Sequence, residues 1–283
     1  MFARLASLAF ALAVAATAAH AGALGPDGVP GRPLPGKFIW FDLATDNLPA
    51  ARAFYREVFG WNFREVVGAP AGYTVIENGK DKLGGMLEMA RPPGARVGAR
   101  WVPLISVVDP GRAAQVVRAR GGSVLVAPKT IAGRGTHAVF RDPQGAVFGV
   151  LASTGGDPAD DPIVDGDVYW LDLFTPDPPS AAAFYADVAG YEVGQGKTRV
   201  GLVRWYLVNG SVARAGVLQQ PKTAGQAPAW LPYILVEDVA GTVERAVKAG
   251  GKVVVAPNPN RLNGNLAVIA DPNGGVIGVV NAP

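Results

Sequence analysis

The apolar residues of this chain change period along its length, and the changes mark its elements. Lys37 to Leu43 (KFIWFDL) is an apolar run of period two, which predicts a β-strand. Asn47-Leu48-Pro49 follows, and then AARAFYREVFG, whose apolar residues recur at helical spacing. Asn47 is placed to cap that helix, Pro49 fits its first turn, and Gly60 can end it. The order then returns. Trp101 to Val108 predicts a strand, Asp109 a cap, Arg112 to Arg120 a helix, and Gly121-Gly122 its end. Short β-prone runs fill the remainder: Tyr73–Glu77, Met86–Met89, Ser123–Ala127, Ala138–Arg141 and Val147–Leu151. The Gly84-Gly85 pair reads as a turn. The predicted order is β-α-β-β-β, twice over.

That whole arrangement is itself repeated. Trp40 recurs as Trp170, Asp42 as Asp172, Phe54-Tyr55 as Phe184-Tyr185 and Gly60 as Gly190, each 130 positions later. Trp101 recurs as Trp230, Pro103 as Pro232, Asp109 as Asp238, Asp142-Pro143 as Asp271-Pro272 and Gly149 as Gly278, each 129 positions later. A net difference of one residue is what small loop changes between two copies of one unit leave behind. The Pro- and Asp-rich segment Ser153 to Pro162 separates the copies as a linker. The expected division is a leader over 1–21, a flexible Gly/Pro-rich lead-in over 22–36, one domain over 37–152, a linker over 153–162 and a second domain over 163–283.

Hydrophobic residues make up 49% of the 283 and charged residues 17%, so two packed cores are expected rather than a disordered chain. The formal net charge is +3, and no Lys/Arg cluster is interleaved with aromatics, which argues against a nucleic-acid partner. The absence of cysteine removes disulfides, thiolate metal sites and a cysteine nucleophile together. Residues 1–21 (MFARLASLAFALAVAATAAHA) carry one early charge, Arg4, an apolar run from Leu5, and the small-x-small end Ala19-His20-Ala21. That is the pattern of a cleaved signal peptide. It predicts a mature chain starting near Gly22, periplasmic or secreted, with no membrane association after cleavage. The two units can pair within one chain, so a monomer or a homodimer is expected.

The strand-turn-helix TDNLPAARAFYREVFGW with the turn-strand RDPQGAVFGV, and their second-copy counterparts TPDPPSAAAFYADVAGY and ADPNGGVIGV, resemble the vicinal oxygen chelate superfamily of glyoxalases, bleomycin-resistance proteins and dioxygenases. The resemblance spans Lys37 to Val280. It implies an α+β fold of two tandem domains, each of paired βαβββ units whose mixed sheet curls into a cup, and it makes the cup the usual ligand site. The reaction is not fixed by the fold. Metal enzymes of this superfamily carry ligands that fall here at Trp40 and Trp170, at Gly149 and Gly278, and at Pro103 and Pro232. None of these side chains can donate a lone pair to a metal. Only the mid-strand position keeps a possible ligand, Glu88, with Gln219 as its counterpart. No metal site and no cofactor are therefore expected, a divalent ion being the alternative.

Strand parity then predicts what lines the cups. If Trp40 faces the cup, so do Phe38 and Asp42, and Met86 and Glu88 join them. In the second copy the set is Val168, Trp170, Asp172, Val217 and Gln219. Trp101 and Trp230 are placed there by the same logic. Such cups suit a small planar, aromatic or apolar molecule. Asp42 and Glu88 are the candidate acid–base residues. The plainer reading makes each Asp a structural acid tied to a backbone amide or an arginine, each Trp a core residue, and Glu88 an exposed strand end. Glu88 is the point of chemical difference between the copies, which makes the first cup the candidate working site. His137, whose counterpart is Leu266, is a further acid–base candidate beside its plain reading as a hydrogen-bonded strand residue. The expected function is metal-free binding of a small molecule outside the cytoplasm; the alternative is a lyase, isomerase or oxygenase of the glyoxalase or dioxygenase style.

Overall fold

The computed structural model describes residues 24–28, 32–66, 69, 72–90, 98–198, 201–221, 227–260 and 262–281. The signal-peptide segment 1–21 lies outside the described residues. In the first copy β1 (Phe38–Thr45) leads into α1 (Leu48–Phe59), β2 (Asn62–Glu65), β3 (Thr74–Asn78) and β4 (Asp81–Glu88). The second half follows as β5 (Ala99–Ser106), α2 (Pro110–Ala119), β6 (Ser123–Ile131), β7 (Gly135–Arg141) and β8 (Val147–Ser153). The second copy runs β9 (Val168–Thr175), α3 (Pro178–Ala189), β10 (Glu192–Lys197), β11 (Val203–Asn209) and β12 (Val212–Gln219). It ends with β13 (Ala229–Leu235), α4 (Val239–Lys248), β14 (Lys252–Val255), β15 (Leu266–Ala270) and β16 (Val276–Val280).

Each copy forms one eight-stranded sheet. The orders are β2-β3-β4-β1-β5-β8-β7-β6 and β10-β11-β12-β9-β13-β16-β15-β14. In each, the two halves meet at a central antiparallel pair, β1 with β5 and β9 with β13. The helix boundaries follow the cap residues. The Asn47 side chain accepts from the Ala50 amide, and Asp109 accepts from the amides of Gly111 and Arg112. Gly60 and Gly190 end their helices at φ of 73° and 74°, a conformation that glycine adopts without steric cost.

Two local features differ from the sequence reading. Strand β2 (NFRE) is absent from the β-prone runs because it is a sheet edge whose one apolar residue, Phe63, packs only partly buried on the core. Gly84 and Gly85 are not a turn but the middle of β4. A Cβ on Gly84 would stand 1.9 Å from the Phe41 carbonyl oxygen, and one on Gly85 would stand 2.1 Å from the Tyr73 hydroxyl. Glycine is there because backbone and a polar side chain press against the strand.

The helix-bearing faces of the two sheets pack against one another. α1 lies against α4 and α2 against α3, and one hydrophobic cluster runs through both copies. Two matching polar joints cross this interface. The Tyr55 hydroxyl donates to Asp271 Oδ2 at 3.0 Å while accepting from Trp101 Nε1 at 3.1 Å. The Tyr185 hydroxyl donates to Asp142 Oδ2 at 3.1 Å while accepting from Trp230 Nε1 at 3.0 Å. Each Asp also receives amides of its own Asp-Pro turn, so a turn residue of one domain fixes a helix of the other. Burial pushes both tyrosine hydroxyls well above their ordinary range, so they act as neutral donors. The cups are left on the opposite faces of the sheets. Among the described residues no helix is long and apolar enough to cross a membrane.

Candidate functional sites in the two cups

Side chains that line the first cup form a second hydrophobic cluster, separate from the interdomain core. It contains Trp40, Tyr73, Val75, Leu87, Val102, Leu104, Val139 and Leu151. Trp40 and Asp42 face this cup, as alternation predicts. Trp40 Nε1 donates to Asp42 Oδ1 at 2.9 Å, and the Tyr73 hydroxyl donates to the same oxygen at 2.9 Å. Arg134, from the turn between β6 and β7, completes the group. Its Nη2 meets Asp42 Oδ2 at 2.6 Å, its Nη1 donates to the Tyr73 hydroxyl at 2.6 Å, and its guanidinium carbon lies 5.5 Å from the centre of the Trp40 ring. Burial alone would loosen the proton of Arg134, but Asp42 and Tyr73 beside it outweigh that and raise its hold. Burial also lifts the Tyr73 hydroxyl well above its usual range.

The second cup repeats this chemistry with parts drawn from other positions. Trp170 Nε1 donates to Asp172 Oδ1 at 2.9 Å, and Arg204 Nη2 meets Asp172 Oδ2 at 2.9 Å. The arginine now comes from β11, on the residue equivalent to Tyr73, because Tyr206 faces Gly216 as Val75 faces Gly85. Tyr233, from β13, supplies the phenol bonded to Asp172. Burial raises the Asp172 carboxyl above the ordinary range, with Arg204, Trp170 and Tyr233 pulling it back. Gly216 permits the close pairing, since a Cβ there would stand 2.2 Å from Asp172 Oδ1.

The cups differ in access. Trp40 is fully buried and the Arg134 side chain is 3% exposed. Trp170 is half-buried, and the Arg204 side chain is 23% exposed. The Arg204 guanidinium carbon lies 5.8 Å from the ring centres of both Trp170 and Tyr206, and its Nε has no hydrogen-bond partner.

Several sequence expectations are corrected here. A register irregularity between Phe38 and Trp40 turns Phe38 to the helix side, where its ring lies 5.1 Å from that of Trp230. Trp101 is paired with Leu43 and Trp230 with Leu173, and both indoles belong to the interdomain core. Met86 and Val217 are in that core as well. Glu88 is exposed and registers with Thr45, on the helix-side parity, so it does not line the first cup. Gln219 registers with Thr175 and donates to the carbonyl of Pro176 at 3.1 Å, again off the cup. Val168 lines the interdomain contact rather than the second cup. On β5 and β13 the cup-facing residues are Val102, Leu104, Leu231 and Tyr233, and the prolines between them face the other way. His137 does face the first cup. Burial, with Arg134 nearby, lowers its pKa to about 4, and its Nδ1 has no partner. Glu88, the residue that made the first cup the candidate working site, lies off that cup, and the more exposed arginine is in the second. Arg134 and Arg204 escape sequence comparison because they occupy non-equivalent positions, and only the shared Trp-x-Asp of β1 and β9 announces them.

The donor set does not suit a divalent cation. Such an ion needs several oxygen or nitrogen ligands converging on one point. Among the described residues the carboxylates placed in the cups are Asp42 and Asp172, and each is already paired with an arginine. Among the described residues no three His, Asp or Glu groups converge.

Comparison with known proteins places this geometry in context. The family model of the Glyoxalase/Bleomycin resistance protein/Dioxygenase superfamily matches residues 37–150, and that of the Glyoxalase-like domain matches 169–280. The chain is 30% identical over 260 residues to the anthracycline biosynthesis protein DauV of Streptomyces sp. (strain C5), covering 87% of this chain and 93% of that one. It is 29% identical over 245 residues to CFP32 of Mycobacterium tuberculosis (strain CDC 1551 / Oshkosh), whose name assigns it provisionally as a glyoxylase; 85% of this chain and 93% of that one are covered. The Mn(II)-bound glyoxalase from Novosphingobium aromaticivorans shares the fold at a TM-score of 0.60 and 18% identity, over 87% of this chain and 82% of that one.

Proposed function

The chain belongs to the glyoxalase/bleomycin resistance protein/dioxygenase superfamily, and from that premise we propose that its second cup binds a small planar aromatic molecule bearing a hydrogen-bond acceptor, without a metal and outside the cytoplasm. The observation that carries this reading is Arg204. Its guanidinium carbon lies 5.8 Å from the ring centres of both Trp170 and Tyr206, on a side chain that is 23% exposed where that of Arg134 is 3% exposed. A ring inserted beside Trp170 gains stacking and apolar burial, and its acceptor meets the exposed part of the guanidinium. The carboxylate of Asp172 keeps the pair neutral, which favours a neutral or singly charged ligand over a polyanion.

1-Naphthoate is a suitable probe. Tryptophan emission is expected to quench saturably with it, and Arg204→Met is expected to weaken binding about ten-fold or more, the worth of one charge-assisted hydrogen bond. 1-Naphthylmethylamine is expected to bind far less well. Equal affinity of wild type and Arg204→Met, or no saturable response, overturns the reading. Export has its own measurement. The intact mass of the chain recovered after expression in a bacterium that secretes it is expected to begin at Gly22; a chain retaining Met1 to Ala21 refutes it.

The names of the relatives favour a second reading, an enzyme of the glyoxalase or dioxygenase style. It requires turnover that tracks a bound divalent ion. Stoichiometric manganese, iron or zinc in the purified protein would support it against the metal-free reading. As acid–base residues for it, Asp42 is held in an ion pair and Glu88 stands outside the cup.

A further inference from the structure

The first cup has an occupant supplied by the chain itself. Leu24 is 2% exposed and belongs to the cluster formed by Trp40, Tyr73, Leu104 and Leu151. Its carbonyl accepts from Arg134 Nη1 at 3.2 Å, and its amide donates to the Gly133 carbonyl at 3.0 Å. Farther along, Asp27 pairs with Lys82 at 2.7 Å, and the Gly28 amide donates to the Gly155 carbonyl at 3.0 Å. The segment belongs to no strand. Leu24, Gly25 and Pro26 are buried, and beyond that burial the segment is held by the single hydrogen bonds at Leu24 and Gly28 and by the Asp27–Lys82 pair.

We infer that the first cup is a latent second binding site, closed by the Leu24–Gly28 segment acting as an internal pseudo-ligand that an apolar molecule with a hydrogen-bond acceptor displaces. The leucine presents an apolar group to the cup wall and a carbonyl oxygen to the cup arginine. Those are the two features of the ligand proposed for the second cup, and both cups build their arginine in the same way, over a tryptophan and against the aspartate two residues on. A short segment outside any strand, with few hydrogen bonds to the domain, withdraws by local opening rather than by unfolding of the domain. The ligand's chemistry rests on the reading of the second cup; closure of the first does not.

The absence of cysteine makes the test direct. Leu24→Cys introduces the single thiol of the full chain, and its labelling rate by a thiol reagent reports seating. Two references bracket it: Val108→Cys at a residue 72% exposed, and Val150→Cys at one fully buried. Labelling of Leu24→Cys is expected roughly ten- to a thousand-fold slower than Val108→Cys and clearly faster than Val150→Cys, the signature of local opening. 1-Naphthoate is expected to accelerate it by competing for the cup, and not to accelerate either reference. Labelling as fast as Val108→Cys shows an unseated segment, and labelling as slow as Val150→Cys shows a fixed part of the core; either overturns the inference. Naphthoate that binds the second cup yet leaves Leu24→Cys unaffected overturns the ligand competition. If naphthoate binds nowhere, intermediate labelling still supports closure, and the failure belongs to the reading of the second cup.

Discussion

Replacing Arg134 with methionine is expected to destabilise the folded chain by about 3–5 kcal/mol, the usual cost of removing one partner from a buried ion pair. The arginine side chain is 3% exposed and serves Asp42, Tyr73 and the Leu24 carbonyl at once. Its loss leaves the Asp42 carboxylate in an apolar cup without a counter-charge. Trp40 and Tyr73 still donate to it, but neither carries charge. Arg134→Met combined with Asp42→Asn is expected to lose less than the sum of the two single variants, since the buried charge goes with its partner. The second cup provides the contrast. Arg204 is 23% exposed, so water replaces part of what Arg204→Met removes, and a loss of about 1–2 kcal/mol is expected there. Urea unfolding of the four variants measures all of this. A loss under 1 kcal/mol for Arg134→Met, or strict additivity with Asp42→Asn, would show that the network does not hold the cup.

Stability is expected to fall by about 3 kcal/mol between pH 6.5 and pH 4 because of His137. The ordinary imidazole value is 6.5, and in the folded chain it is lowered to about 4, first by burial and then by the charge of Arg134. The groups that bear on it are Arg134 and Lys129, which oppose its charging, and Asp42, which favours it. As pH falls through 6.5 the unfolded chain takes up this proton and the folded chain does not, so the equilibrium moves toward unfolding until the folded imidazole titrates near 4. The second copy has leucine at this position, Leu266, in an equivalent strand. His137→Leu is therefore expected to fit, and to remove that part of the acid loss while leaving stability at pH 8 little changed. Unfolding midpoints of wild type and variant at pH 8, 5.5 and 4.5 isolate the effect, because the carboxylates of the rest of the chain are common to both. Parallel pH curves for the two would disprove the assignment.

The interdomain joints explain why so many repeated residues turned out to be architectural. Trp101, Trp230, Tyr55, Tyr185, Asp142 and Asp271 recur because one helix–turn contact is made twice, once in each direction across the interface. The cup arginines do not recur in sequence, although their chemistry does. Repetition in this chain therefore marks the interdomain joints, the helix ends and the Trp-x-Asp floor of each cup, while Arg134, Arg204, Tyr73 and Tyr233, which have no like residue at the equivalent position, mark what distinguishes the cups.

Sequence alone was sufficient for the two copies, the β-α-β-β-β order of their halves, and the helix limits at Asn47, Gly60 and Asp109. Each of these is written in periods and caps that act over a few residues. It was also sufficient to bring Trp40, Asp42, Trp170 and Asp172 to the cup face. The face of every other lining residue depended on events outside its own strand. A register irregularity turned Phe38 away, pairing of β5 with β1 and of β13 with β9 sent the other tryptophans into the core, and the approach of Phe41 and Tyr73 turned a glycine pair into a strand centre. Closure of the first cup joins residues 110 apart, Leu24 and Arg134. Alternation within a strand is a local rule, but which side of it becomes a cup, and what fills that cup, is set by long-range packing that no local pattern encodes.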